Sequence, residues 1–400
     1  MEIVHLVSSG GLGGTESSVL EMIGSVRDAH PSWTLRAVAP EDGLFVERLV
    51  AAGIPVEVMP FPPTLARLGE AGLPESRVGR AQLAATLIAA APGALAYARR
   101  LRAATSGADV IHAHGFKMQV LSAVSRRSRT RLVWHLHDYV GTRPASGRLL
   151  RALSGRCAVA IANSGSVAAD ARTTCGDGIE IATMFNAVDL ARFHPRGDRL
   201  DLDAMASASE PAAGTLKIGL VATFARWKGH ATFLEALSRL PAALPVRGYV
   251  IGGAAYQTAA SQYSEGALRE LASGWNLGDR VVFTGAAERA DAAIRALDIV
   301  VHASTRPEPF GMVIAEAMAC GRPVVISRAG GAAELVQDEV DGISHVPGDA
   351  GSLADAIVRL ASAPELRARL GVAARASAER LFDRSRLASD LAPFYTGRAA

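Results

Sequence analysis

The sequence predicts an α/β protein of two domains, each a parallel sheet with helices on both faces. Its 400 residues exceed one ordinary domain and suit two, each able to bury its own core. Both halves alternate short apolar runs with stretches of helical periodicity. Between them Arg196 to Gly214 is polar, Ala/Ser-rich and aperiodic, which reads as a loop or linker.

In the first half the expected strands are Ile3–Val7, Thr34–Ala39, Val56–Met59, Val110–Ala113, Arg131–Leu136, Val159–Ala162 and Ile181–Met184. A glycine-rich turn, Gly10-Gly11-Leu12-Gly13-Gly14-Thr15-Glu16, follows the first strand and leads to a helix from about Ser17. It is not a dinucleotide fingerprint: Glu16 stands where the third glycine belongs, and no acid ends the second strand. Its glycines still let backbone approach a ligand closely. Asp109-Val-Ile-His-Ala-His114 and Trp134-His-Leu-His137-Asp138 lie at strand ends, where open α/β sheets bind ligands. For His112, His114 and His135 the simplest expectation is a ring satisfied by a carbonyl. Asn163-Ser164 reads as a helix cap.

In the second half the expected strands are Lys217–Thr223, Val246–Ile251, Val281–Phe283, Ile299–His302, Pro323–Ile326 and Gly342–Val346. Arg226 and Lys228 stand at a strand-to-helix corner, where a diphosphate would need neutralising; the competing reading is solvated surface charge. Ala254 to Glu265 is a long connection of unreadable purpose. Beyond Ala361 the chain is helical. In Arg306-Pro-Glu-Pro-Phe-Gly-Met-Val-Ile-Ala-Glu-Ala-Met-Ala-Cys-Gly-Arg-Pro-Val-Val325, a loop leads into a helix near Gly311, which stops at Gly321 before a buried strand. A helix start suits a phosphate. The flanking carboxylates, Glu308 and Glu316, only accept hydrogen bonds when ionised and so suit hydroxyls. Phosphate beside hydroxyls describes a nucleotide sugar; the alternative is two ordinary surface charges.

Glu308-x7-Glu316 within this long string resembles the signature of the retaining glycosyltransferases of family 4, which have the GT-B fold. The resemblance implies two Rossmann-like domains facing across a cleft: 1–192 on the acceptor side, a linker at 193–215, a nucleotide-sugar domain at 216–378, and a helix at 379–400 returning to the first domain. It extends to Asn186-Ala187-Val188-Asp189, where the family usually has Gly in place of Ala187, and to Gly330-Gly331-x-x-Glu334 near the base. Residue by residue it implies donor contacts at Gly13, Gly14 and Glu16, at Gly285, and at Phe310, Gly311, Met312, Val313, Ile314 and Glu316. His137 would touch the transferred sugar, Glu308 the sugar hydroxyls and Glu316 the ribose. Lys228-Gly229 match the family's Lys-Gly, whereas Thr223 occupies its arginine position, so Arg226 is the expected substitute. The implied reaction moves a hexose-type sugar from a UDP-, GDP- or ADP-sugar to a hydroxyl acceptor, with retention and without a metal or other cofactor. The alternatives are a nucleotide-sugar epimerase on the same architecture and a non-enzymatic sugar-nucleotide sensor.

Composition bounds the rest. With 49% hydrophobic and 20% charged residues the chain is globular rather than disordered. Three cysteines fit a reducing compartment, and the ten histidines show no zinc-ligand spacing. The first residues read as a strand, not a signal peptide, so the expected location is cytoplasmic, peripheral to the inner membrane face if the chain binds lipid. Leu83 to Ala98 is apolar but short of the roughly 18–20 residues of a span, and Pro92-Gly93 interrupts it. From Phe61 to Ala160 only Glu70, Glu75, Asp109 and Asp138 are acidic among many arginines. That face suits an anionic bilayer or an acidic acceptor, or is simply an arginine-rich surface. No groove-reading motif supports nucleic acid.

Overall fold

The computed structural model describes residues 1–66, 77–254 and 261–397. Residues 67–76, in the basic stretch, and 255–260, in the long connection, lie outside the described residues. The chain divides into two compact units, Met1–Ala187 with Arg384–Ala400, and Val188–Asp383.

The first unit runs β1 (Glu2–Leu6), α1 (Gly14–Ala29), β2 (Thr34–Ala39), α2 (Leu44–Ala51), β3 (Val56–Val58), α3 (Pro63–Ala66), α4 (Arg77–Ala104), β4 (Val110–His114), α5 (Phe116–Ser125), β5 (Arg131–Leu136), α6 (Pro144–Leu153), β6 (Val159–Ala162), α7 (Gly165–Cys175) and β7 (Ile181–Thr183). Its strands are parallel, in the order β3-β2-β1-β4-β5-β6-β7. Alternate strand residues enter opposite layers, as a two-residue period requires. Val4, Leu6 and Trp134 pack with Tyr97, while Ile3, Val7 and Val133 pack with Met22 and Phe45. Ser164 caps α7 by accepting the Val167 N–H. In α4, whose interior holds Pro92, Tyr97 is buried and its hydroxyl donates to the Met59 carbonyl at 3.0 Å. Among the described residues no helix is long and apolar enough to cross a membrane.

The second unit runs α8 (Leu202–Met205), β8 (Leu216–Val221), α9 (His230–Arg239), β9 (Val246–Ile251), α10 (Glu265–Gly274), β10 (Val281–Gly285), α11 (Ala290–Arg295), β11 (Ile299–His302), α12 (Met312–Ala319), β12 (Val324–Ser327), β13 (Ile343–His345), α13 (Ala350–Ser362) and α14 (Pro364–Leu381). Its parallel sheet has the order β10-β9-β8-β11-β12-β13. The last helix, α15 (Arg386–Thr396), belongs to the first unit. There Ser25 Oγ accepts the Ala388 N–H at 3.1 Å, and Arg384 reaches Glu21 and Asp28 at 3.4 and 3.1 Å. Every expected strand forms, with ends shifted by two residues at most.

The unit boundaries differ from the expected ones. Residues 193–215 pack within the second unit and do not form a free linker. Asp201 caps α8, and the buried Asp203 pairs with Lys217 at 2.7 Å and Arg247 at 2.9 Å and accepts the Tyr249 hydroxyl at 2.8 Å. Burial pushes the Asp203 carboxyl up, but these partners outweigh it and hold it below the usual range. The polar composition that reads as linker conceals an acid whose counter-ions lie on β8 and β9.

Candidate active site

Strand order reverses between β8 and β11, and α/β sheets bind ligands at the carboxyl ends beside such a point. Two connections leave there and approach closely. Gly229 has φ +78°, and a Cβ on it would stand 1.8 Å from the Ala303 carbonyl oxygen, so only glycine fits. The Thr305 N–H donates to the Trp227 carbonyl at 2.8 Å, closing the same contact.

This approach seats Lys228 Nζ 2.5 Å from Glu308 Oε1. Glu308 is 6% exposed, and its Oε2 accepts from His302 Nε2 at 2.6 Å and from Ser304 Oγ at 2.5 Å. Burial pushes this carboxyl up, but the charges and hydrogen bonds of Lys228 and His302 overcome it and hold it well below the usual carboxylate range. The glycine-rich turn lies behind it: Glu308 bridges Gly330, and the Ala332 N–H donates to the Glu308 carbonyl at 3.3 Å. Lys228 and Glu308, expected to meet phosphate and sugar separately, are thus each other's counter-ions. His302 and Ser304 were missed as members of this cluster. Their signal was present in His302-Ala-Ser304, whose two-residue spacing at a strand end puts both side chains on one side.

Arg226 is exposed and lies over the Tyr263 ring, 4.3 Å from its centroid, while its N–H donates to the Ser261 carbonyl. The segment Ser261–Tyr263 therefore braces this corner, and Arg226 borders an open groove of about 560 Å³ with Tyr263, Glu270 and Trp275. Gly311 precedes α12 with φ +96°, and the first turn of the helix offers the N–H groups of Met312 and Val313. Ile314 is 1% exposed, and its N–H returns to the Gly311 carbonyl. The Phe310 side chain is core, edge-on to Phe382 at 6.0 Å. Glu316 is half-buried in the second turn of α12. Gly285 ends β10 with φ +72°, and its carbonyl accepts the Gly252 N–H.

In the first unit Gly13 precedes α1, and Glu16 Oε2 accepts the Gly13 N–H at 3.1 Å. The helix starts at Gly14, three residues before the expected Ser17, with Glu16 reaching back to the N-cap N–H and glycine offering no side chain in return. Burial pushes the Glu16 carboxyl up, against the two backbone hydrogen bonds that lower it. His137 follows β5, and Asp138 accepts the Tyr139 N–H at 2.8 Å and pairs with Arg143 at 3.2 Å. Burial pushes the Asp138 carboxyl up.

Five of the ten histidines, scattered in sequence, converge here. His5 is in register with His112, His114 is in register with His135, and His137 lies two residues beyond His135. His5, His112, His114 and His135 are fully buried, and the rings of His112, His114 and His135 bond to other imidazoles, not to carbonyls as expected of them. His5, His112 and His114, and likewise His114, His135 and His137, each bring one ring nitrogen within 4.8 Å of the others. The two His-x-His pairs, with their two-residue period, were the available signal.

Two doubly wound parallel units, the second with a paired carboxylate ahead of a glycine-capped helix at its switch point, define a protein of GT-B architecture. The chain belongs to glycosyltransferase family 4. Residues 44–192 match the family described as Glycosyltransferase Family 4, and residues 205–377 match Glycosyl transferases group 1. It is similar to HepE of Anabaena, solved in complex with UDP-glucose, with 26% identity, coverage of 99% of this chain and 100% of that one, and a TM-score of 0.80. It is 24% identical to the N-acetyl-alpha-D-glucosaminyl L-malate synthase of Bacillus anthracis over 72% of this chain and 74% of the relative. It is 37% identical to the D-inositol 3-phosphate glycosyltransferase of Xylanimonas cellulosilytica over 38% of this chain, and spans only 36% of that relative's length.

Proposed function

We propose that this protein is a retaining glycosyltransferase that moves a hexose-type sugar from a nucleoside-diphosphate sugar to a hydroxyl acceptor. The observation that carries the reading is the buried, ionised Glu308 joined to Lys228 beside the start of α12. A leaving diphosphate needs positive potential where charge develops. Lys228 and the backbone N–H groups at Met312 and Val313 supply it. On donor binding Lys228 turns from Glu308 toward phosphate, and the freed carboxylate accepts sugar hydroxyls. His302 and Ser304 keep Glu308 ionised and oriented through that exchange. Glu316 accepts the ribose diol, and Gly285 lies by the base. Arg226, held on Tyr263, adds potential at the corner and does not replace Lys228. The leaving phosphate takes the acceptor's proton, so the reaction needs neither a protein nucleophile nor a metal.

The HepE complexes with UDP and UDP-glucose favour uridine as the base. The inositol-phosphate and malate relatives favour a small anionic hydroxyl acceptor, and the arginine-rich stretch of the first unit suits either such an acceptor or an anionic bilayer.

The test is a metal-free panel of UDP-, GDP- and ADP-sugars read by thermal shift and by slow release of free sugar. A UDP-sugar that raises the melting temperature and releases sugar supports the reading, because a ligand that binds only the native state stabilises it by mass action. Binding without transfer to any hydroxyl acceptor would favour a sensor, sugar isomerisation an epimerase, and no binding would remove the proposal.

A further inference from the structure

Helices α4, α5 and α6 end, and strands β5 and β6 begin, at the amino edge of the first sheet, opposite the edge that carries His137. From Arg131 at the start of β5 to His137 just past its end is about 20 Å, at about 3.3 Å per residue. A recess of about 280 Å³ opens at this amino edge. Arg126 and Arg129 line it from the turn between α5 and β5, Arg131 from the start of β5 and Arg156 from the turn before β6, together with Ser128 and Cys157. No carboxylate lines it.

Among the described residues none of these four arginines is in an ion pair, whereas Arg143, Arg384 and Arg386 of the same unit each hold a carboxylate. Carbonyls anchor three of the four instead. Arg126 Nη1 donates to the carbonyls of Arg127, Ser128 and Thr130 at 3.3, 3.2 and 3.2 Å. Arg156 Nη1 donates to the Ala123 carbonyl at 3.1 Å, and Arg131 Nε to that of Phe394 at 2.5 Å. A guanidinium carries five N–H groups, so each anchored side chain keeps donors to spare. Arg126 Nε is enclosed with no partner. The competing reading is solvated surface charge. Against it, the anchored side chains have already lost rotamer freedom that a ligand would otherwise have to remove, and they lost it around one recess. Burial pushes the Cys157 thiol up to about 12, and Arg126 and Arg131 both act against that shift, so their charges converge on this lining residue.

We propose that the recess is a phosphate-binding site, taking the phosphate group of a free phosphorylated molecule or of a lipid headgroup. Guanidinium forks meet phosphate oxygens in pairs, and four cations without an acid leave positive charge for an anion to balance. The site lies at the wrong edge of the sheet to hold an acceptor beside His137, so it is separate from sugar transfer and does not depend on the function proposed above.

The experiment uses the full chain at roughly 0.15 M salt. Flotation with phosphatidylcholine vesicles, with and without phosphatidylglycerol, reads lipid headgroups; calorimetric titration with inorganic pyrophosphate reads free phosphate. Each is run on the wild type, on Arg129→Gln/Arg156→Gln in the recess, and on Arg99→Gln/Arg148→Gln, two exposed arginines outside it. Pyrophosphate bound at the start of α12 is common to all three proteins and cancels in the comparison. The recess pair should weaken phosphatidylglycerol-dependent flotation or pyrophosphate binding by at least about tenfold, as for two lost phosphate contacts. The other pair should stay within about threefold of wild type. A loss confined to the vesicles assigns a lipid headgroup, and one confined to pyrophosphate a free phosphate. Equal loss in both pairs, or no binding of either probe, overturns the proposal. If the recess pair does not fold, Arg129→Gln alone, at an exposed side chain, decides. Transfer from a nucleotide sugar without binding of either probe would refute this site and leave the proposed function standing.

Discussion

Acidification should destabilise the first unit through its buried histidines. The folded-state values of His5 and His137, about 3, lie below the 6.5 of an unfolded histidine. Between these values the unfolded chain binds more protons, so stability rises with pH. It is complete above about 6.5 and is lost progressively toward 3. At pH 5 each of these rings costs about 2 kcal/mol and the pair about 4 kcal/mol, at 1.36 kcal/mol per unit over 1.5 units. Burial pushes His112, His114 and His135 in the same direction. Against a typical 5–15 kcal/mol of total stability this is large. For a unit of this size it corresponds to a fall of about 10 °C or more in Tm. Calorimetry at pH 7.5 and pH 5.0 tests it, with the lowest transition expected to move by at least that amount. A shift below about 3 °C would mean that these rings are hydrated or already charged in the folded protein, and the burial argument would fail.

Three further outcomes follow from the second unit. Glu308→Gln removes the charge facing Lys228, so transfer should fall by at least about 100-fold, as for loss of a transition-state group, with nucleotide affinity by calorimetry largely kept; unchanged turnover would remove Glu308 from the mechanism. Gly229→Ala places a methyl 1.8 Å from the Ala303 carbonyl oxygen at φ +78°. It should lower stability by about 2–4 kcal/mol in denaturant titration, and wild-type stability would show that the close approach is absent. Asp203→Ala leaves Lys217 and Arg247 without their buried counter-ion; a loss of about 3–5 kcal/mol is expected, and a loss under about 1 kcal/mol would return 193–215 to the status of a linker.

Much of the fold was legible because it is local. Buried parallel strands such as Val159–Ala162 and the Val324–Ile326 part of β12 are continuous apolar runs, and glycines at 229, 311 and 321 punctuate the helices between them. The motif around Glu308 was legible for the same reason, being a contiguous string in which one loop leads into one helix. Misplaced boundaries followed from the same locality. Nothing near Asp203 in sequence shows that it is buried, and nothing near Glu16 shows that its carboxylate is spent on capping α1.

By itself, then, the sequence determined the elements, the parallel α/β architecture, the family and the identity of the charged residues at the strand ends. It did not determine which of those groups meet. Lys228 and Glu308 are eighty positions apart, and His5 and His114 more than a hundred. Their pairing follows from strand order, which puts β8 beside β11 and β1 beside β4. Only that arrangement sets Lys228 and His302 against Glu308, whose carboxylate they keep ionised in spite of burial, and encloses the imidazoles, which burial keeps neutral.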